Sequence, residues 1–226
     1  MTHGKKYQKI KEKLGHKREY TLEEAINFIK ENKTRSFDES LEIHLKLGIN
    51  IKKTEQTVKG NITFPHGGFI QKKIAIFAEP EKLNEAKEAG ADLVGGKELI
   101  DKIKETGKTN FDVTIATPGI MKDLVVLAKI LGPKGLMPSP KAGTITSNIK
   151  EAVAELKRGK ISFKNDDGGN LHQIVGKLSW EKEKIIANIK SFVEAVKKAK
   201  PAKFKGNFIK SITLCSTMGP GIRFKI

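Results

Sequence analysis

The chain has 226 residues, enough for one large or two ordinary domains that each bury a core. Forty-three basic residues against 26 acidic ones leave a formal charge of +17, more than solubility requires, which points to a polyanion and first of all to nucleic acid. A membrane is set aside as the competing partner: no apolar run approaches the roughly 20 residues of a spanning helix, and the start, Met1 to Lys13, is basic with no apolar h-region, so a soluble, unexported protein is expected.

Lysine-rich Lys5 to Arg18 reads as a short helix or a loosely held arm whose charge meets phosphates or simply water. Thr21-Leu22-Glu23-Glu24 is a capping box, and Leu22, Ala25, Ile26 and Ile29 follow at helical spacing, so a helix packs one face on a core. From Phe37 the period changes to two. Leu41, Ile43, Leu45 and Leu47 point to one side of a strand, and Ser40, Glu42, His44 and Lys46 to the other, a polar row suited to an RNA groove or to water. A second strand, Thr57 to Phe64, ends at Pro65-His66-Gly67-Gly68.

Short apolar runs at Ile74 to Phe77, Asp92 to Val94 and Asp112 to Ile115 then alternate with helical patterns at Leu83 to Ala89, Leu99 to Glu105 and Met121 to Ile130. A further helix is expected near Asn148 to Arg158. Strand alternating with helix means βαβ units and a parallel sheet. No GxGxxG and no GxxxxGK[ST] accompanies it, which argues against a nucleotide-dependent enzyme, and no catalytic residues are expected.

After Gly159 the pattern reads as antiparallel. Lys160 to Lys164 and Leu171 to Leu178 are expected to form a hairpin across Asn165-Asp166-Asp167-Gly168-Gly169-Asn170, whose carboxylates are turn formers. Ser179 is expected to cap a helix with the stripe Ile185, Ile189, Phe192, Val193 and Val196, ended by Pro201. Phe208 to Leu214 is a strand carrying Ser211, and Ile222 to Ile226 a short final one. Between them lies Ser216-Thr217-Met218-Gly219-Pro220-Gly221, where glycines and a proline expose backbone groups, hydroxyls add donors, and Met218 offers a flexible apolar knob; a plain turn has the same chemistry.

Residues 1–66 hold too few elements for a stable core, but joined to 160–226 they complete an α+β layer pair. Residues 67–159 are therefore read as an inserted α/β domain. Glycines at the two crossings suggest a hinge at Pro65, Gly67, Gly68 and Gly159. Cys215 is the only cysteine, and His3, His16, His44, His66 and His172 show no ligand spacing, so neither a metal nor any other cofactor is expected.

The most unusual stretch is Leu131-Gly132-Pro133-Lys134-Gly135-Leu136-Met137-Pro138-Ser139-Pro140-Lys141-Ala142-Gly143-Thr144, a rigid loop from which Lys134 and Lys141 project. Together with Phe37-Asp38-Glu39-Ser40, Val58-Lys59-Gly60, Phe64-Pro65-His66-Gly67, Ala89-Gly90-Ala91-Asp92-Leu93-Val94-Gly95 and Ser216-Thr217-Met218-Gly219, in this order, it resembles the family of large ribosomal subunit protein one. That family forms the mobile stalk beside the tRNA exit site.

The resemblance covers essentially the whole chain. It implies a split α+β domain built from both termini, with an antiparallel sheet, and an inserted Rossmann-like α/β domain. It also implies a protein on the ribosome in the cytoplasm, monomeric when free, whose split domain holds a folded region of large-subunit rRNA. In bacterial members it implies repression of the operon's own mRNA as well.

Carried over by residue, the rRNA contacts fall on Phe37, Ser40, Glu42, Thr217, Met218 and Gly219. His44, Lys46, Ser211 and Ser216 join them as polar strand and loop positions. Lys134 and Lys141 form a secondary contact with exit-site tRNA or neighbouring rRNA. Ser40 stands where the family usually has Thr and Ser139 where it usually has Asn, while Gly68-Phe69-Ile70 replaces the usual Thr-Gly-Lys. A general RNA chaperone resting on charge alone is the competing reading.

Overall fold

The structure is a computed structural model that describes residues 4–15, 19–33, 35–49, 57–67, 73–140, 143–201, 204 and 206–225. Along the chain come α1 (Lys5–Leu14), β1 (Tyr20–Thr21), α2 (Leu22–Glu31), β2 (Ser40–Leu47), β3 (Lys59–Thr63) and β4 (Ile74–Phe77). Next are α3 (Leu83–Glu88), β5 (Leu93–Gly95), α4 (Lys97–Thr106), β6 (Val113–Ala116), α5 (Met121–Leu124), α6 (Ala128–Leu131) and α7 (Ile149–Lys157). The last elements are β7 (Lys160–Lys164), β8 (Asn170–Lys177), α8 (Lys182–Lys198), β9 (Ile209–Ser216) and β10 (Ile222–Lys225). The fold is mixed α/β, and the chain divides into two compact units, Met1–Phe69 with Ile161–Ile226, and Ile70–Lys160.

In the first unit a five-stranded sheet runs β1-β10-β9-β2-β8. β2 lies inside it between β9 and the edge strand β8, antiparallel to both. Its alternation is the reason: Leu41, Ile43, Leu45 and Leu47 are buried, while Ser40, Glu42, His44 and Lys46 face the other way. Against the apolar face lie α2 and α8, and the latter buries Ile185, Ile189, Phe192, Val193 and Val196, each contributing about 1.5–3 kcal/mol.

The capping box at the start of α2 forms in both directions, with the Glu24 N–H donating to Thr21 Oγ1 and the Thr21 N–H to Glu24 Oε2. α1 is a docked helix: Ile10 is buried, Leu14 packs on the core, and the Tyr20 hydroxyl donates to the Leu14 carbonyl at 2.6 Å.

In the second unit the sheet order is β5-β4-β6, all parallel. All of β4 is buried, because helices cover both faces. Ala75 and Phe77 face a cluster with Ile100, Ile103, Leu124 and Leu127; Ile74 and Ile76 face one with Ala86, Ile149 and Val153. The helix expected from Met121 to Ile130 tightens into a 3-10 turn at Val125–Leu127. This places Leu124 and Leu127, three apart, on one buried line and leaves Val125 and Val126 outside.

Three expectations need correction. β7 and β8 do not form a hairpin: β7 pairs with β3 and β8 with β2. The turn between them is real, with the Asp166 carboxylate accepting from the N–H groups of Gly168 and Asn170. Its ends, however, are taken by different partners. Asn165 exchanges hydrogen bonds with the Val58 backbone, and Leu47 N–H donates to the Gly169 carbonyl, so the strands diverge.

Ser179 does not cap α8, whose N-cap position is Glu181 with no side-chain cap bond. Its hydroxyl and N–H donate to Asp38 instead. β9 also runs two residues further than expected, to Ser216, and pairing with Leu41 turns that serine toward the core face. The short strand β1, parallel to β10, was not visible in the sequence.

Candidate nucleic-acid interface

The entry to β2 and the loop after β9 are fastened together residue by residue. The Asp38 carboxylate accepts from the Ser179 N–H at 3.0 Å and hydroxyl at 2.8 Å. Glu39, nearly fully buried, accepts from the Leu178 N–H on its carbonyl and from the Met218 N–H on its carboxylate at 3.3 Å. The Ser40 N–H donates to Thr217 Oγ1 at 3.0 Å, and the Thr217 N–H donates back to the Ser40 carbonyl. The Ser40 hydroxyl accepts from Lys177 Nζ at 2.9 Å.

On this braced ridge sit two apolar side chains left in water, Phe37 at 49% and Met218 at 45% exposure. Phe37 is therefore not a core residue. At Gly219 a Cβ would come within 2.6 Å of the Ser216 hydroxyl, so a larger residue there would force that side chain to shift. Ser216, at 7% exposure, is withdrawn from the surface set to which the sequence assigned it. Its side chain helps line a small crevice with Ile10, Phe28, Gly219 and Pro220, which sets the basic helix α1 beside the loop. Lys5, Lys6, Lys9, Lys11 and Lys13 of that helix are exposed.

Below the ridge the polar face of β2 continues across the sheet. Glu42 faces Cys215, His44 faces Thr213 and His172, and Lys46 faces Ser211 and Asn170. Lys46 Nζ donates to the Gly168 carbonyl at 2.6 Å. A chain of contacts crosses the strands: Asp166 Oδ2 to His172 Nε2 at 3.4 Å, His172 Nδ1 to His44 Nδ1 at 2.7 Å, and His44 Nε2 to Cys215 Sγ at 2.9 Å.

With both rings neutral, the protons order in one direction. His172 donates to Asp166, His44 donates to His172, and the thiol donates to His44. Burial, with His172 adding to it and Glu42 opposing, lowers the His44 pKa. Burial, reinforced by the Glu42 charge, pushes the Cys215 thiol up to about 11, so it is not an activated nucleophile.

Asp166 is held down to about 2, first by the Asn170 N–H and side-chain amide, with His172 and Gly168 adding smaller contributions. A depressed carboxylate stabilises the fold above its unfolded pKa near 4, and that contribution is lost as pH falls from about 4 to about 2. Asp166→Ala is expected to cost about 1 kcal/mol after allowance for solvent exposure, and to flatten acid unfolding in that window. Urea melts at pH 7 and pH 3 check both; an unchanged difference between the two pH values rules the account out.

The proline loop is pinned by its backbone. The Leu136 N–H returns to the Leu131 carbonyl, Thr144 closes on Ser139, and Pro138 is buried. Lys134 is exposed and donates to the Thr109 hydroxyl at 2.7 Å. Lys141 lies outside the described residues, as do His3, His16 and Gly68, expected at the hinge. Of the other positions expected at a hinge, Pro65 is exposed, Gly67 half-buried, and Gly159 has φ 97°, where glycine is required. The flanking His66 backbone is pinned on both sides by buried Asn188.

Glu39 and Asn188 were not picked out by sequence reasoning, and His172 and Cys215 were named there only to set metal ligation aside. Asn188 left a signal, as a lone amide inside the apolar stripe of α8.

The family model for "Ribosomal protein L1p/L10e family" matches residues 29–220. The chain belongs to this family. It is 46% identical over 224 residues to the large ribosomal subunit protein uL1 of Fervidobacterium nodosum, covering 99% of this chain and 95% of that one. The protein of the same name from Kosmotoga olearia is 47% identical over 220 residues, with 97% and 95% covered. That of Thermus thermophilus is 45% identical over 222 residues, with 98% and 96% covered. The L1p/L10e match contains both the Phe37 segment and the Met218 loop, so the ridge lies wholly within the matched span. Among the described residues, no helix is long and apolar enough to cross a membrane.

Proposed function

We propose that this ribosomal protein is a structural, non-catalytic component of the large subunit that grips a folded region of large-subunit rRNA with the ridge formed by Phe37 and the Thr217 to Gly219 loop. The observation that carries the reading is the exposure of Phe37 and Met218 on a scaffold held by buried Glu39 and by the Ser40–Thr217 pair. Two half-exposed apolar groups on rigid backbone, in a chain of charge +17, suit sugar faces and unstacked bases. Lysines of α1 supply attraction to phosphates, while the exposed backbone of the loop and its Thr217 hydroxyl read shape through 2′-hydroxyls.

In this reading residues 1–66 and 160–226 form the RNA-binding domain. The inserted residues 67–159 present Lys134 and Lys141 to exit-site tRNA or neighbouring rRNA as the stalk moves about the crossings at Pro65 to Gly68 and at Gly159. Release of deacylated tRNA, repression of the operon's own mRNA and a monomeric free state belong to the same proposal, and support for them comes from family membership.

The test is filter binding of the full chain to a large-subunit rRNA fragment and to an arbitrary hairpin across a salt series. Affinity for both is expected to fall steeply with salt, since phosphate contacts release counterions, while a gap of at least about tenfold in favour of the rRNA fragment persists. Convergence of the two RNAs at every salt concentration favours the general chaperone.

A further inference from the structure

The polar face of the five-stranded sheet assembles a donor set that spacing along the chain conceals. Glu42, His44 and Cys215 each offer one ligand atom, and the three atoms lie within 4.8 Å of one another. The register explains the meeting: Cys215 of β9 stands directly opposite Glu42 of β2, and His44 follows Glu42 by two residues on the same face. All three are half-buried, so the site is shielded on its sheet side and open to solvent on the other.

We propose that Cys215 Sγ, His44 Nε2 and a Glu42 carboxylate oxygen bind a divalent transition-metal ion of the zinc class. The chemistry of the set selects the ion. A thiolate and an imidazole suit zinc, cobalt or related cations, whereas magnesium and calcium require oxygen ligands throughout. A thiolate and a carboxylate also neutralise the charge of a divalent ion. Three protein ligands leave a fourth tetrahedral position for water.

Metal–ligand bonds of about 2.0–2.3 Å place tetrahedral ligands roughly 3.3–3.7 Å apart. The present Nε2–Sγ separation is 2.9 Å, held by the thiol proton that a metal would replace. Loss of that proton removes the hydrogen bond and lets the two side chains open by the required fraction of an ångström.

Independent support comes from the groups behind His44. A ligating imidazole is normally oriented by an acceptor on its other nitrogen. Here His44 Nδ1 is engaged by His172 Nδ1 at 2.7 Å, and His172 Nε2 by Asp166 at 3.4 Å. Asp166 is itself fixed by the Gly168 and Asn170 N–H groups. This relay leaves the lone pair of His44 Nε2 directed at Cys215. His172 and Asp166 are positioning residues, and the site does not depend on the RNA reading.

The experiment titrates the reduced, untagged full chain with Co2+. A one-to-one end point is expected, with a sulfur-to-cobalt charge-transfer band in the near ultraviolet and strong visible bands of a four-coordinate ion, both removed by added Zn2+. Cys215→Ser, an isosteric change, abolishes the charge-transfer band while the circular dichroism stays native. His44→Gln weakens binding at least about tenfold. His172→Gln keeps the band but weakens binding about 10- to 100-fold, the effect of losing an outer-shell partner and not a ligand. Absence of the band from the wild-type chain overturns the site. So does a band of undiminished affinity in His44→Gln, which would mark a thiol binding metal by itself.

Discussion

Asn188→Ala is expected to lower the free energy of unfolding of the full chain by about 2–4 kcal/mol. Asn188 sits on α8 within the apolar stripe and has 0% exposure. Its Oδ1 accepts from the His66 N–H at 3.1 Å, and its Nδ2 donates to the carbonyls of His66 at 3.0 Å and Val175 at 2.8 Å. One side chain thus serves as a strand edge for the segment leaving β3 and as a partner for β8. Alanine removes every one of these bonds, leaves an N–H and two carbonyls short of partners, and opens a small cavity.

Asn188→Leu separates the two causes, because it refills the volume without restoring the bonds. If the amide acts through hydrogen bonding, the leucine variant stays destabilised by at least about 1–2 kcal/mol in urea unfolding. Full recovery by leucine, or an unchanged midpoint in alanine, would assign the residue to packing alone.

The double variant Phe37→Ala, Met218→Ala is expected to reduce affinity for the rRNA fragment roughly 100-fold, because truncating a buried interface anchor costs about 1–2 kcal/mol each. The same variant is expected to melt within about 0.5 kcal/mol of the parent, since both side chains are already half in water in the free protein. Val125→Ala with Val126→Ala supplies the control. Those residues are 59% and 54% exposed on the other unit, so apolar exposure alone predicts a similar loss and the ridge reading predicts none. Equal affinity for all three proteins places the RNA contact elsewhere.

Thr217 is a poorer probe than its exposure suggests. Its hydroxyl accepts from the Ser40 N–H, so removing it loosens the ridge as well as any contact the ridge makes.

Local chemistry was written plainly in the chain. The capping box at Thr21, the alternation of β2, the apolar stripe of α8 and the strand–helix rhythm from Ile74 onward all appear where period and capping place them, because each depends on residues a few positions apart. The exposed loop around Met218 was legible for the same reason: too few apolar groups surround it to make a core.

Pairing was not legible, since it depends on what each strand edge meets across the fold. Turn chemistry at Asp166 was identified correctly, yet it joins strands of two different sheets, because Asn165 bonds to Val58, just before β3, and Gly169 to Leu47 of β2. Ser179 has the side chain of a helix cap, but Asp38, 141 positions away, holds it. Cross-strand register, which turned Ser216 inward, is also what set Cys215 beside Glu42 and His44 and linked His44 to His172 and Asp166. Composition, charge and periodicity determine the elements and the class of partner. The side chains that meet on the sheet are decided by which edges pair, a contest between segments more than a hundred residues apart that local propensity does not encode.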